Sequence, residues 1–561
     1  MDLPVGEHLP LIRRMPWALV LGLAPVVFLG LFFVWPVIAI IDRGLRPSGS
    51  FELGVFGEVL VDPNIGDVAW FTLWESALST IACLLLGIPG AALFARFAFR
   101  GRRTLWALLL VPFVMPTVVV AVAFITLIGP DGVTGVHLTG TIWAILLAHV
   151  FFNYAIVVRT VGAAWMTLDD RQLEAARVLG ASHLRGFFTV TLPQLRDSIV
   201  AAGTIVFLFA FTSFGIVVLL GGVHQRTLEV EIYDQTARFL NLDVAAVLAI
   251  LQLVGVVLLL MVFSRMQSRR ERGAELRPSA ALLRRPSGRS ERMFVGVNLA
   301  FMAVMLVSPL MVLVLRSLHS ADGWGLEAYS RLGGARRGST SFVAPFDAVM
   351  NSLRFASATT VMAVILGASA AWALTARTRA GSRSASSITR SVTETALMVP
   401  LGASAVTVGF GCLIALDSPP LDLRSSPWML PIAHTVIALP LVIRVLLPAI
   451  RSIDPHLLEA GESLGASRLR LWWSVEVPLV WRQLLVAAGF AFAVSLGEFG
   501  ATLFLVRAED TTLPIAIYRS LGRPGADNFS QALALSVILM AVTAVVVVAV
   551  DRLRPAGSSE F

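Results

Sequence analysis

Lysine is absent from this 561-residue chain, so all 44 basic residues are arginine. That absence excludes several chemistries. A phosphate-binding P-loop needs the lysine of G-x-x-x-x-G-K-[ST] to reach the β- and γ-phosphates, and a Schiff-base enzyme needs an amine nucleophile. Any ATP that drives this protein must be bound by another subunit. Charge of either sign is scarce, at 14% of residues against roughly 25% in soluble domains. The two cysteines, Cys83 and Cys412, lie far apart inside apolar runs; they read as small hydrophobes, with no disulfide or metal framework. No H-E-x-x-H, G-x-S-x-G or histidine–acid cluster is present, so no catalytic residue and no metal ligand is assigned. The chain itself is expected to bind no cofactor.

Apolar sequence is what the chain has in abundance: 57% of residues are hydrophobic and the mean hydropathy is +0.80. A helix needs about 20 apolar residues to cross a bilayer. Six runs qualify in the first half, at Trp17–Ile40, Trp70–Ala95, Leu105–Ile128, Ile142–Val161, Ile199–Leu220 and Val244–Phe263. Six more follow, at Phe294–Leu315, Val349–Leu374, Val392–Ala415, Met429–Ile450, Leu484–Val506 and Gln531–Val550. The fold class expected is all-α and polytopic, with about 12 transmembrane helices. Arg13 and Arg14 precede the first run, which is too long for a cleaved signal and reads as the first span.

The arginines set the orientation. Arg96, Arg100, Arg102 and Arg103 follow the second run, and Arg377, Arg379, Arg383 and Arg390 occupy the matching place in the second half. Positive loops stay in the cytoplasm, so alternation puts both termini and the middle of the chain there too. The middle is a polar stretch with arginines at 265, 269, 270, 272, 277, 284, 285, 289 and 292. It reads as a cytoplasmic linker lying against anionic lipid. The net charge of +8 therefore belongs to membrane orientation, and no nucleic-acid partner is expected.

The chain also repeats itself. Laying His149 on His434 and carrying the register forward without a gap puts Arg159 on Arg444, Glu174 on Glu459, Pro193 on Pro478, Phe214-Gly215 on Phe499-Gly500 and Ile232-Tyr233 on Ile517-Tyr518. Upstream, Gly87 falls on Gly367 and Leu73 on Leu353. Six spans is an even number, so the two six-helix repeats are parallel, related by an axis along the membrane normal. The organisation expected is a first half at 1–263, a linker at 264–292 and a second half at 293–561.

Each half carries a polar loop between its fourth and fifth runs, at about 159–197 and 444–483. The first reads LDDRQLEAARVLGASHLRGFFTVTLPQL and the second SIDPHLLEAGESLGASRLRLWWSVEVPLV. The residues spell two short helices. Asp169 caps the first with Gln172 as capping-box partner, and Asp454 does so in the second copy with Pro455 at the first helical position. Gly180 and Gly465 end these helices in a left-handed conformation. Ser182 and Ser467 cap a second short helix, which Pro193 and Pro478 break before the next span. Gly461 stands where the first copy has Ala176, a departure that weakens a helix by up to ~1 kcal/mol.

The shared pattern E-A-[AG]-x3-G-A-S-x7-V-x-[LV]-P resembles the E-A-A loop of permeases from ATP-binding-cassette importers. The resemblance implies that Glu174, Ala175, Ala176 and Gly180, with Glu459, Ala460, Gly461 and Gly465, meet two copies of an ATPase subunit. That partner would bind ATP and Mg, and an extracytoplasmic solute-binding protein would deliver the solute. The location implied is the bacterial plasma (inner) membrane. LLAHVFFNYAIVVR, FTSFGIVVLLGG followed by TLEVEIY, and SLGEFGATLFLV followed by TLPIAIYRSLG resemble the thiamine and ferric-iron permeases. Thiamine or a thiamine phosphate is the solute expected first and ferric iron second. Glu498 is read as the carboxylate deep within a run, and with Asn153 it is a candidate for the solute pathway or for helix packing. Glu75 and Glu394, near the starts of their runs, are expected to reach the interface. His149 and His434 are expected to share a structural hydrogen bond. An ion-coupled secondary transporter of twelve spans is the alternative from another class.

Overall fold

Twelve apolar runs do not become twelve straight spans. In the computed structural model, residues 16–47, 49–51, 54–169, 171–268, 283–320, 323–333, 344–379, 394, 396–417, 419 and 421–553 are described. Among them the regular structure is helical apart from a pairing of His319–Ser320 with Gly323–Trp324 and an isolated bridge between Phe97 and Arg284. Ten helices among the described residues are long and apolar enough to cross a membrane. The first half supplies α1 (Leu21–Leu45), α2 (Pro63–Arg96), α3 (Arg102–Val114), α4 (Thr117–Ile128), α5 (Ile142–Met166), α6 (Arg171–Val178), α7 (His183–Phe211), α8 (Gly215–Leu220), α9 (Leu228–Tyr233) and α10 (Leu242–Ser268). The second half supplies α11 (Arg289–Ser317), α12 (Pro345–Arg379), α13 (Ala405–Ala415), α14 (Met429–Arg451), α15 (Pro455–Ser463), α16 (Arg468–Gly497), α17 (Gly500–Leu505), α18 (Leu513–Leu521) and α19 (Ala526–Leu553).

The third and the ninth runs supply none of these ten helices. Leu105–Ile128 splits into α3 and α4, bent by 98°. The bend falls at Met115, which is extended because it precedes Pro116, and a residue before proline is pushed out of the α region. Of Val392–Ala415, the described part yields helical residues at 394 and 396–398, a 3-10 turn at Val399–Gly402 and the short helix α13. Two further runs, Ile199–Leu220 and Leu484–Val506, contain breaks at Thr212–Phe214 and Glu498–Phe499, leaving α8 and α17 as short helices after long ones.

The prolines of the two polar loops act differently from expectation. Pro193 and Pro478 break nothing: α7 and α16 run from the loop straight into the membrane. Each passes through a π-helical segment just before its proline, Phe187–Thr191 and Trp472–Glu476. Proline lacks the N–H and crowds the carbonyl four residues back; the wider π turn absorbs both defects without ending the helix.

The first helix of each half packs on the other half. α1 lies along α12 and, further on, between α13 and its own half's α10, while α11 packs on α4 and touches α2. The largest buried cluster accordingly mixes residues of both halves, among them Val119, Phe124, Phe410, Phe499 and Leu513. Within a half, α2 and α5 approach closely at Gly87, where an added Cβ would stand 2.7 Å from Val157 Cβ. Gly367 and Val442 repeat the arrangement between α12 and α14. Small residues let membrane helices gain dispersion contacts where lipid offers no hydrophobic drive. Of the linker, α10 reaches Ser268 and α11 begins at Arg289, so helix enters both of its expected ends; 269–282 lie outside the described residues. Arg284 is docked: its backbone exchanges hydrogen bonds with Arg96 and Ala98, and its guanidinium lies over the Phe97 ring.

Candidate functional site

The polar loops fold alike. Asp169 accepts a hydrogen bond from the Arg171 N–H at 3.0 Å, and Asp454 from the His456 N–H at 3.0 Å. Gln172 is not a capping-box partner; its side chain accepts from Gln194 on α7 instead. Gly180 has φ +88° and Gly465 φ +80°. Ala181 N–H then reaches back to the Ala176 carbonyl and Gly180 N–H to Arg177, a pattern repeated by Ala466 to Gly461 and Gly465 to Glu462. These are the paired bonds of a Schellman end, which satisfy the last helix carbonyls. Ser182 and Ser467 cap the following turns through Arg185 N–H and Arg470 N–H.

Gly461 has a packing reason. A Cβ there would lie 2.3 Å from Leu471 Cδ2, and Leu471 is buried. In the first copy the sizes are reversed, with Ala176 on the helix and Gly186 at the position of Leu471. Glu174, Ala175, Gly180, Glu459, Ala460 and Gly465 are all exposed. Beside them stand large apolar side chains with no cover: Leu179 and Leu464 are each 88% exposed, with Leu184 and Leu469, and Phe188 and Trp473, at matching positions. Both copies of the loop thus hold large apolar side chains out at matching positions.

A second constellation lies where the halves meet. His149 on α5 contacts Glu75 Oε1 at 2.8 Å and Ser79 Oγ at 2.9 Å through Nδ1, and Ser213 Oγ at 2.9 Å through Nε2. His434 on α14 contacts Ser495 Oγ at 2.8 Å and, through Nε2, Thr502 Oγ1 at 2.9 Å and Glu498 Oε2 at 3.3 Å. Ser213 and Glu498 occupy the same repeat position, so each histidine ties its own helix to the break after α7 or α16. Glu498 accepts from Ala501 N–H at 2.8 Å and Thr502 N–H at 2.9 Å, which makes it the N-terminal cap of α17. Asn153 is buried one turn along α5 from His149.

Glu75 departs from expectation. It is fully buried, because α2 begins at Pro63, well before the apolar run, and so carries Glu75 three turns in. Glu394 does stay at the surface, paired with Arg451 at 2.9 Å. Nor is Glu498 the one deep carboxylate: Glu229, Glu231 and Asp234, in the segment after α8, are buried as well. Aromatic rings close the centre. Phe214 and Phe499 stack at 5.6 Å and 23°, Tyr233 stands 5.6 Å from Phe214, and Tyr518 stands 5.4 Å from Phe499. Phe214 with Phe499 and Tyr233 with Tyr518 are repeat-related pairs, so the circuit straddles the pseudo-two-fold axis. Two of the chain's four tyrosines fall at this one repeat position.

Residues 84–273 and 363–556 each match the family described as binding-protein-dependent transport system inner membrane component. The chain belongs to that family. As a binding-protein-dependent inner membrane component with two matching regions, it is a fused two-half permease, a transport subunit rather than an enzyme. A probable ABC transporter permease, y4fN of Sinorhizobium fredii, is 27% identical over 93% of this chain and 94% of its own. The thiamine transport system permease ThiP of Escherichia coli K12 is 26% identical, covering 82% and 84%, and that of Brucella suis 26%, covering 89% and 90%. A crystal structure of a bacterial ABC transporter for alginate import aligns with 46% of this chain and 96% of its own at 18% identity and a TM-score of 0.39. The family works with binding proteins, which leaves the ion-coupled alternative without support.

Proposed function

We propose that this permease couples solute passage to a separate ATPase through its two polar loops, and that the solute is thiamine or a thiamine phosphate. The observation that carries the coupling role is the repeated set of exposed apolar side chains, Leu179, Leu184 and Phe188 with Leu464, Leu469 and Trp473, on loops rich in charged residues. Apolar groups held out of the membrane at two symmetry-related places suit a partner that is itself a pair. Two ATPase copies, each carrying ATP and Mg, would meet Glu174, Ala175 and Gly180 on one side and Glu459, Ala460 and Gly465 on the other. The loops and both termini then face the cytoplasm, and an extracytoplasmic binding protein feeds the opposite end.

The solute pathway follows the axis through the ring circuit of Phe214, Tyr233, Phe499 and Tyr518. Aromatic faces attract an organic cation, which favours thiamine over ferric iron, and full-length relatives that are thiamine permeases support the same order. Glu498 and Asn153 serve the pathway from its wall, Glu498 by fixing α17. Growth of a deletion strain in medium lacking thiamine, and separately under iron starvation, tests the solute. Failure only without thiamine fits the proposal; failure only under iron limitation, relieved by ferric salt, makes iron the solute. Co-purification of the ATPase, lost on Leu179→Asp with Leu464→Asp, tests the coupling.

A further inference from the structure

We propose that Glu229 and Ser404 form a one-sided latch across the seam between the halves, released when the pathway opens. Glu229 sits on α9 of the first half and is fully buried. A carboxyl group inside a membrane protein is costly unless its oxygens are satisfied. Here one oxygen accepts from Gln252 Nε2 on α10 at 2.8 Å, and the other from Ser404 Oγ at 3.0 Å. Both partners are neutral. Gln252 belongs to the same half as Glu229 and anchors it. Ser404 belongs to the other half, where it caps α13 by accepting from Thr407 N–H at 3.0 Å.

The bond has no counterpart across the axis. The repeat register puts Pro514 where Glu229 stands, and laying Val399-Pro400 on Val111-Pro112 puts Pro116 where Ser404 stands. Neither proline has a side chain that can hydrogen-bond. The latch therefore belongs to the fused, asymmetric chain and would be doubled or missing in a symmetric pair.

Its position ties it to the rings. Tyr233 lies one turn along α9 from Glu229, and Phe410, on α13 beyond Ser404, meets Phe504 at 6.3 Å. Separating the halves at the aromatic circuit moves α9 away from α13 and breaks the Ser404 bond. Ser404 then keeps its cap on Thr407, while Glu229 is left with Gln252 and an open face toward the pathway. A hydrogen bond to a charged or polarised carboxyl weights the closed arrangement about tenfold over the parted one. A binding protein that opens the seam must overcome that weight, so the latch suppresses ATP hydrolysis in its absence.

The latch rests on the importer reading, and the experiment separates the two. The full chain with its ATPase is reconstituted in nanodiscs, and hydrolysis is measured with and without the binding protein. A wild-type complex that the binding protein does not stimulate overturns the importer reading, and the latch with it. Given stimulation, Ser404→Asp preserves an N-cap but opposes a second carboxyl to Glu229. Hydrolysis without binding protein should rise about tenfold. Adding Glu229→Gln should bring it back, since the amide donates to the new aspartate. Unchanged basal hydrolysis in S404D, or a rise that E229Q fails to reverse, overturns the latch. Should S404D fail to assemble, Glu229→Met removes both bonds without adding charge; elevated basal hydrolysis supports the latch and a wild-type rate overturns it.

Discussion

Replacing Gly87 by alanine should force α2 and α5 apart. The new Cβ would stand 2.6 Å from Val157 Cγ1 and 2.7 Å from Val157 Cβ, where carbon atoms need about 3.5–4.0 Å. Rotation cannot relieve the clash, because Val157 Cβ is fixed to its backbone and a valine in a helix holds one rotamer. The helices must separate by roughly 1 Å. Overpacking of this kind costs about 1–3 kcal/mol, offset in part by the ~1 kcal/mol that alanine gains over glycine in a helix. The same two helices carry Glu75 and His149, 2.8 Å apart, so the separation also weakens a buried hydrogen bond worth about 1.5–3 kcal/mol. Melting of the purified permease should fall by roughly 1–4 °C, and solute uptake should fall with it. The swap Gly87→Ala with Val157→Gly moves the bulk to the other helix and should recover part of the loss. Wild-type melting and uptake in the single variant would refute the close-approach argument. Gly367→Ala gives an independent repetition, because its Cβ would stand 2.4 Å from Val442 Cγ1 and 3.0 Å from Val442 Cβ.

Three other outcomes are expected. Gly180→Val or Gly465→Val should abolish ATPase co-purification without loss of membrane insertion. An added Cβ meets no neighbour at either site, so the cost is the left-handed backbone alone, about 1–2 kcal/mol, and asparagine should be better tolerated; retention of the ATPase by both valine variants would remove these turns from the coupling surface. Glu498→Gln should lower thermal stability by about 1–2 kcal/mol through the weakened cap on α17, read as melting temperature; a change in solute preference at unchanged melting would instead make Glu498 a contact of the solute. Fragments 1–278 and 279–561, co-expressed, should associate and transport, with deletion of α1 from the first fragment weakening pull-down of the second; indifference to that deletion would contradict the packing of α1 on α12.

The spans were legible because bilayer thickness writes a length into the sequence, and the two loops because caps and left-handed glycines are local chemistry. Asp454, Ser182, Ser467, Gly180 and Gly465 sit in the geometry their residue types dictate. What hydropathy could not show is where an apolar run stops being one helix. Met115–Pro116 interrupts a run whose apolarity continues unbroken, and Glu498–Phe499 a run marked only by one carboxylate, since the interrupted backbone is buried in protein and not in lipid. Nor could it show that Glu75 is buried, because the helix starts in polar residues ahead of the run. The π segments before Pro193 and Pro478 were illegible for a third reason: a proline's usual effect is cancelled by one extra residue in the preceding turn.

The exchange of first helices sets an order on how this protein is made. α1 leaves the ribosome with its partner α12 still some 300 residues away, which at about 5–20 residues per second is roughly 15–60 s of synthesis. For that interval the N-terminal part of α1 waits for its partner, while its C-terminal part already has α10 to dock on through Arg43 and Asp243. The first half cannot finish its own packing early, and the seam between the halves is closed last, when the second half arrives to receive the waiting helix.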